Sequence, residues 1–169
     1  MRLLRTTIGR HNALLFLVIA MLACCSAAGA ADLKDFTSDG CSLFPDGTLA
    51  DRGKWCECCL RHDIVYWHGG TEQERRMADE DLRTCVFERT GDKTLAETMY
   101  VGVRVGGHPA FPTWYRWGYG WKYGRGYKPL TGQEQQLVRE KQADYVRTHP
   151  AGYCGERSRK NLSKERKEQ

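Results

Sequence analysis

Residues 55–66 read Trp55-Cys56-Glu57-Cys58-Cys59-Leu60-Arg61-His62-Asp63-Ile64-Val65-Tyr66. The stretch contains no Pro or Gly and its apolar positions suit a helix, predicted to run from about Lys54 to His68. Positions four apart share one face of a helix. Cys58 therefore lies one turn below His62, Cys59 one turn below Asp63, and Tyr66 one turn above His62. If both cysteines are bridged to other elements, the imidazole and the carboxylate sit on a doubly anchored surface. A catalytic pair needs such an anchor.

Downstream, Gly69-Gly70 suit a helix C-terminus. Thr71-Glu72-Gln73-Glu74 then has the form of a capping box, with Thr71 as N-cap and Glu74 three residues on. A second helix is predicted to about Arg89, with Ala78/Asp79, Leu82, Cys85 and Val86 facing inward. Two helices joined by Gly-Gly with a sharp restart make an antiparallel hairpin. Facing residues in such a pair have a nearly constant sum of positions, and Cys58/Cys85 and His62/Asp79 nearly share one. A bridge between the first pair would bring the second face to face, one turn on. By loop closure that bridge would contribute roughly 3–4 kcal/mol.

The chain has 169 residues, enough for one small domain with additions. Arg2, Arg5 and Arg10 precede an apolar run from Ala13 to Ala23, and Ala28-Gly29-Ala30 offers small residues for cleavage. Residues 1–30 thus match a secretory signal peptide, and the run is short for a membrane span. Met21-Leu22-Ala23-Cys24 loosely resembles a lipoprotein cleavage site, which leaves a lipid-anchored form open. The formal charge of +5 includes those three arginines; residues 31–169 carry 23 basic and 21 acidic residues, a net of +2. That leaves no strong nucleic-acid footprint. Six cysteines follow residue 30, namely Cys41, Cys56, Cys58, Cys59, Cys85 and Cys154. An even count in a small exported chain points to disulfides, with fifteen possible connectivities, and to the periplasm, cell exterior or secretory lumen. The rival is a metal cluster from Cys56, Cys58, Cys59 and His62, but adjacent thiolates fit poorly around one tetrahedral ion.

The flanks say less. Residues 32–53 read as a turn-rich loop tied down by Cys41, with Asp39-Gly40 and Asp46-Gly47 as turn signals. Lys93 to Val105 could be a short helix or a strand. From Trp114 to Tyr127, Tyr115, Trp117, Tyr119, Trp121, Tyr123 and Tyr127 fall on odd positions, which predicts an extended ribbon with one aromatic face. That face can fill a core, or, with Trp117, Trp121 and Lys122, anchor at a membrane interface. Gln133 to Arg147 is predicted as a third helix, and Glu156 to Gln169 as a charged, disordered tail. Residues 31–155 would then form the folded domain.

An imidazole titrates near neutrality and can take a proton from water. It needs a carboxylate to fix its tautomer, and Asp79 is placed for that. Asp63, rotated about 100° around the helix, points elsewhere and is free to ligate a cation. A hard cation takes several oxygens, which Asp39-Gly40 can supply if Cys41 is tied to Cys59. A base, its orienter and a Lewis acid make a water-activating esterase site.

Cys58-Cys59-Leu60-Arg61-His62-Asp63-Ile64-Val65-Tyr66 resembles the C-C-x-x-H-D-x-x-Y signature of the secreted phospholipase A2 superfamily. Asp79 also lies six residues before Cys85, as the family's second catalytic Asp precedes its cysteine. The match covers roughly residues 38–87. The resemblance implies a mainly α, disulfide-bonded fold around an antiparallel two-helix core, with the aromatic, Gly-rich segment extended behind it. It implies calcium as cofactor, a phospholipid membrane or micelle surface as partner, and hydrolysis of a phospholipid acyl ester. His62 would be the base, Asp79 its orienter, Tyr66 a hydrogen-bond donor to Asp79, and Asp63 the principal calcium ligand. Cys58 would pair with Cys85 and Cys41 with Cys59, leaving Cys56 and Cys154 over. Gly40-Cys41-Ser42 lacks the glycines of the animal calcium loop. Asp39-Gly40-Cys41 is similar instead to the bacterial and fungal Asp-x-Cys form, in which the Asp and a carbonyl bind calcium. The expected state is an exported monomer. The alternative is a catalytically inactive member of the fold that binds a membrane or protein.

Overall fold

The computed structural model describes residues 32–165, so the signal-peptide and lipid-anchor expectations lie outside the described residues. Five helices follow in order: α1 (Cys56–His68), α2 (Glu72–Thr90), α3 (Lys93–Gly106), α4 (Gly132–Thr148) and α5 (Gly152–Glu165). Among the described residues there is no strand, only an isolated antiparallel bridge between Leu33 and Trp121. None of these helices is long and apolar enough to cross a membrane.

The ends of α1 and α2 follow the local chemistry. Gly69 (φ +66°) breaks away from α1, and a Cβ there would lie 2.9 Å from the Gly118 backbone, so only glycine suits both the conformation and the close approach. At the start of α2 the Thr71 side chain accepts from Glu74 N–H while Glu74 accepts from Thr71 N–H, the reciprocal cap predicted from sequence. Gly91 in the left-handed region ends α2. Asp92 then caps α3 by accepting from Leu95 N–H. This cap, with Ala96 and Met99 buried on one face, settles 93–105 as helix.

Helices α1 and α2 run antiparallel: Cys58 bonds Cys85 near one end of the pair, and His62 meets Asp79 one turn on. Helix α3 packs along α2, and α5 packs on α1. Trp55, Cys58, Leu82, Val86, Ala96 and Met99 close the core between α1, α2 and α3. The other two disulfides are Cys41–Cys59 and Cys56–Cys154. With Cys56, Cys58 and Cys59 all in disulfides, the metal-cluster reading of those three with His62 falls.

Two expectations are corrected. The aromatic run is a chain of turns rather than a ribbon, because Gly118, Gly124 and Gly126 take positive φ (69°, 91° and 65°) and destroy the two-residue period. Trp117 and Trp121 turn inward and are buried, which removes them from a membrane interface, while Lys122 is exposed. The inward turn serves α1. A helix leaves its last carbonyls without partners, and here Gly118 N–H donates to Tyr66 O (2.6 Å), Gly120 N–H to Trp67 O (3.0 Å) and the Trp121 indole to His68 O (2.7 Å). The Trp117 indole reaches Gly70 O at 3.0 Å. Secondly, the segment expected to be a disordered tail is helical through Glu165, tethered by Cys154.

Helix α4 starts on a second capping box, Thr131/Glu134, and Arg125 grips the Glu134 carboxylate with two hydrogen bonds of 2.7 and 3.0 Å. Led by the Arg125 bonds, this holds the Glu134 carboxyl down at about 2, against an ordinary 4.5. A carboxyl depressed in the folded state adds stability that is complete above its unfolded value and drains as pH falls from 4.5 towards 2. Glu134→Gln should therefore cost about 1–2 kcal/mol at neutral pH. Its urea midpoint should then change less than wild type between pH 5 and pH 2.

Candidate functional site

Asp79 is fully buried and both its oxygens are occupied. Oδ1 faces His62 Nε2 at 2.8 Å and accepts the Tyr66 hydroxyl at 2.7 Å. Oδ2 accepts from Arg104 Nη1 at 2.7 Å, with Arg75 Nε 3.8 Å away. Burial alone would push the Asp79 carboxyl up, but hydrogen bonds from His62, Arg104 and Tyr66 outweigh it and hold the group below the usual carboxylate range. Burial, then the nearby Asp79 charge, pushes the Tyr66 phenol far up, so it stays protonated and donates. An ionised Asp79 at 2.8 Å places the His62 proton on Nε2. Nδ1 is left with its lone pair and has no protein partner among the described residues.

Arg75, almost wholly buried, braces this network from behind. Its Nε donates to Tyr66 Oη (3.0 Å), its Nη1 to the Tyr127 hydroxyl (2.7 Å), and its Nη2 to Val103 O (3.0 Å) and Arg104 O (2.6 Å). It thus joins α2 to the last turn of α3, whose carbonyls lack helical partners.

His62 and Asp63 line a cavity of about 580 Å³ between α1, α3 and the loop at 40–44. Leu43, Phe44, Leu82, Met99 and Val103 make its wall mostly apolar, and no Lys or Arg lines it. Leu43, Val101 and Val105, also in the lining, are 77%, 56% and 63% exposed, so the cavity opens through an apolar rim.

Asp63 is buried beside the imidazole. Burial raises its carboxyl well above the ordinary value, a hydrogen bond from the Ser38 hydroxyl (2.6 Å to Oδ2) opposes this, and the Asp39 and Asp46 charges raise it further. Such a concentration of carboxylates attracts a cation. Asp39 is exposed; its Oδ1 accepts from Ser42 Oγ (3.0 Å), its Oδ2 from the Trp114 indole (3.0 Å) and its backbone carbonyl from Tyr153 Oη (2.9 Å). Gly40 takes φ +79° and a Cβ there would lie 2.3 Å from Asp46 Oδ1, so glycine is required where the loop folds onto Asp46. Among the described residues no three His, Cys, Asp or Glu side chains converge into a metal cluster. The carboxylates whose charge reaches Asp63 are those of Asp39 and Asp46. Oxygen donors of that kind fit a hard cation such as calcium.

Sequence reasoning brings His62, Asp79, Tyr66 and Asp63 to one place, but it misses Arg104, Arg75, Ser38 and Asp46. Asp46 accepts from Cys41 N–H at 2.8 Å and pairs with Arg157 of α5. The one available signal for Arg104 is that a buried carboxylate has two oxygens to satisfy, while His62 and Tyr66 serve only one. Comparison of the chain with protein-family models, with curated proteins and with solved structures finds no match.

Proposed function

We propose that the protein is an exported, calcium-dependent hydrolase of phospholipid acyl esters, related in its helix pair and site to secreted phospholipase A2. The observation that carries the reading is the buried Asp79–His62 pair at 2.8 Å, opening with Asp63 onto an apolar cavity. His62 Nδ1 takes the proton of a water molecule as that water attacks the ester carbonyl carbon. Asp79 holds the imidazole in the Nε2–H tautomer and steadies the imidazolium. Tyr66 donates to Asp79 Oδ1, and Arg75 in turn donates to the Tyr66 hydroxyl and holds it in place. Calcium held by Asp63, Asp39 and a loop carbonyl such as that of Gly40 would supply a Lewis acid that polarises the carbonyl and stabilises the oxyanion. The apolar wall of Leu82, Met99 and Val103 accommodates an acyl chain and excludes water from the reacting ester. Leu43, Val101 and Val105 at the rim suit contact with a lipid surface.

One observation favours the alternative, a silent relative that only binds membranes. Both Asp39 carboxylate oxygens already accept protein hydrogen bonds, from Ser42 and Trp114. Fatty-acid release from phosphatidylcholine vesicles separates the two. The enzyme releases fatty acid with calcium, stops when calcium is chelated, and loses calcium affinity in Asp63→Asn. A silent binder pellets with the vesicles under both conditions and releases nothing, and that result would reject the hydrolase reading.

A further inference from the structure

Arg104 lies outside the sequence motif yet bonds the buried carboxylate at its centre: we infer that it is the positioning residue that sets the angle of the Asp79 carboxylate against His62. The inference rests on the hydrolase reading only for its kinetic half; its geometric half stands on the structure alone.

Asp79 is completely buried, so each oxygen must be satisfied by protein. Oδ1 is shared by His62 Nε2 and Tyr66 Oη, whereas among the described residues the single hydrogen bond to Oδ2 comes from Arg104 Nη1 at 2.7 Å. The next donor to Oδ2 is Arg75 Nε at 3.8 Å, beyond hydrogen-bond reach. Without Arg104, Oδ2 has no donor in reach, since the Arg75 Nε–H is committed to Tyr66 Oη, and the carboxylate is free to turn in search of one. That turn carries Oδ1 away from the imidazole and lengthens the 2.8 Å contact that fixes the tautomer.

Arg104 can hold its place because its own backbone is held. Arg75 Nη2 pins the last turn of α3, donating to Val103 O and Arg104 O at 3.0 and 2.6 Å. The two arginines thus form a closed clasp: α2 grips the backbone of α3 through Arg75, and α3 grips the carboxylate of α2 through Arg104. The Arg104 side chain is 27% exposed and is absent from the lining of the large cavity, so it acts on Asp79 and not on a bound acyl chain.

The test compares wild type, Arg104→Met and Arg104→Lys, with His62→Ala to assign the signal. In 15N-histidine-labelled protein the His62 Nε2–H, hydrogen-bonded to a buried carboxylate, should give a downfield proton resonance that His62→Ala lacks. In Arg104→Met that resonance should move upfield or vanish by exchange, and Arg104→Lys should restore it in part. With phosphatidylcholine and calcium, kcat should fall about tenfold in Arg104→Met with KM unchanged, a fraction of the roughly 10²–10⁴ that a general base contributes. A folded Arg104→Met with the resonance at its wild-type position overturns the inference. If Arg104→Met does not fold, an unshifted resonance in Arg104→Lys with wild-type kcat overturns it equally. Should the wild-type protein release no fatty acid, the hydrolase reading fails while the resonance still decides the role of Arg104.

Discussion

His62→Ala should lower calcium-dependent fatty-acid release by on the order of 10²–10⁴, the usual worth of a positioned general base. The loss should fall on kcat, since the apolar wall proposed to take the acyl chain is untouched. A fall in activity from unfolding is the competing explanation, and the site itself argues against it. Removing the imidazole leaves Asp79 Oδ1 bonded to Tyr66 at 2.7 Å and Oδ2 bonded to Arg104 at 2.7 Å. No buried charge is orphaned, so the several-kcal/mol penalty for stripping a buried carboxylate of its partners does not arise. The thermal midpoint should therefore stay within a few degrees of wild type while turnover collapses. Measured together, the two quantities leave little room: a stable variant with turnover within threefold of wild type would falsify the assignment of His62 as base.

The helix pair is legible in the sequence because its signals are local. Gly69-Gly70 end α1, and Thr71 with Glu74 starts α2 in the register that faces Cys58 to Cys85 and His62 to Asp79. The aromatic segment is not legible, because the same glycines that make alternation visible on paper bend the chain at positive φ. Its tryptophans answer a demand made elsewhere, the unpaired carbonyls at the end of α1. Arg75 and Arg104 are hidden for a related reason. A long side chain declares its target only once the partner helix is in place, and nothing local to residue 104 refers to residue 79. The tail from Glu156 misleads in the opposite direction: its charge density reads as disorder, while just ahead of it Cys154 and Tyr153 fasten the first turn of α5 to Cys56 and to the carbonyl of Asp39.

Cutting that fastening should produce the largest stability loss of any single disulfide removal. Loop closure entropy grows with the length of chain enclosed, and Cys56–Cys154 encloses 98 residues against 27 for Cys58–Cys85 and 18 for Cys41–Cys59. The chain-entropy relation gives about 4.7, 3.5 and 3.2 kcal/mol respectively. The ranking holds only if α5 stays docked after the bond is cut, since a helix that lets go in the folded state recovers there the freedom gained on unfolding. Two contacts oppose release: Tyr153 Oη on Asp39 O at 2.9 Å, and Arg157 on the buried Asp46 carboxylate. Urea unfolding of Cys56→Ala/Cys154→Ala should thus show a loss of about 4–5 kcal/mol with a slope steeper than wild type, since the unfolded chain without its longest cross-link exposes more surface. The His62 Nε2–H resonance should persist, because the α1–α2 seam has its own bridge at Cys58–Cys85. A loss below about 1 kcal/mol with α5 exchanging its amides freely would mean the bond alone holds that helix. Asp39 and Asp46 would then lose their α5 partners together, and, under the proposed hydrolase reading, the calcium dependence of fatty-acid release should change with them.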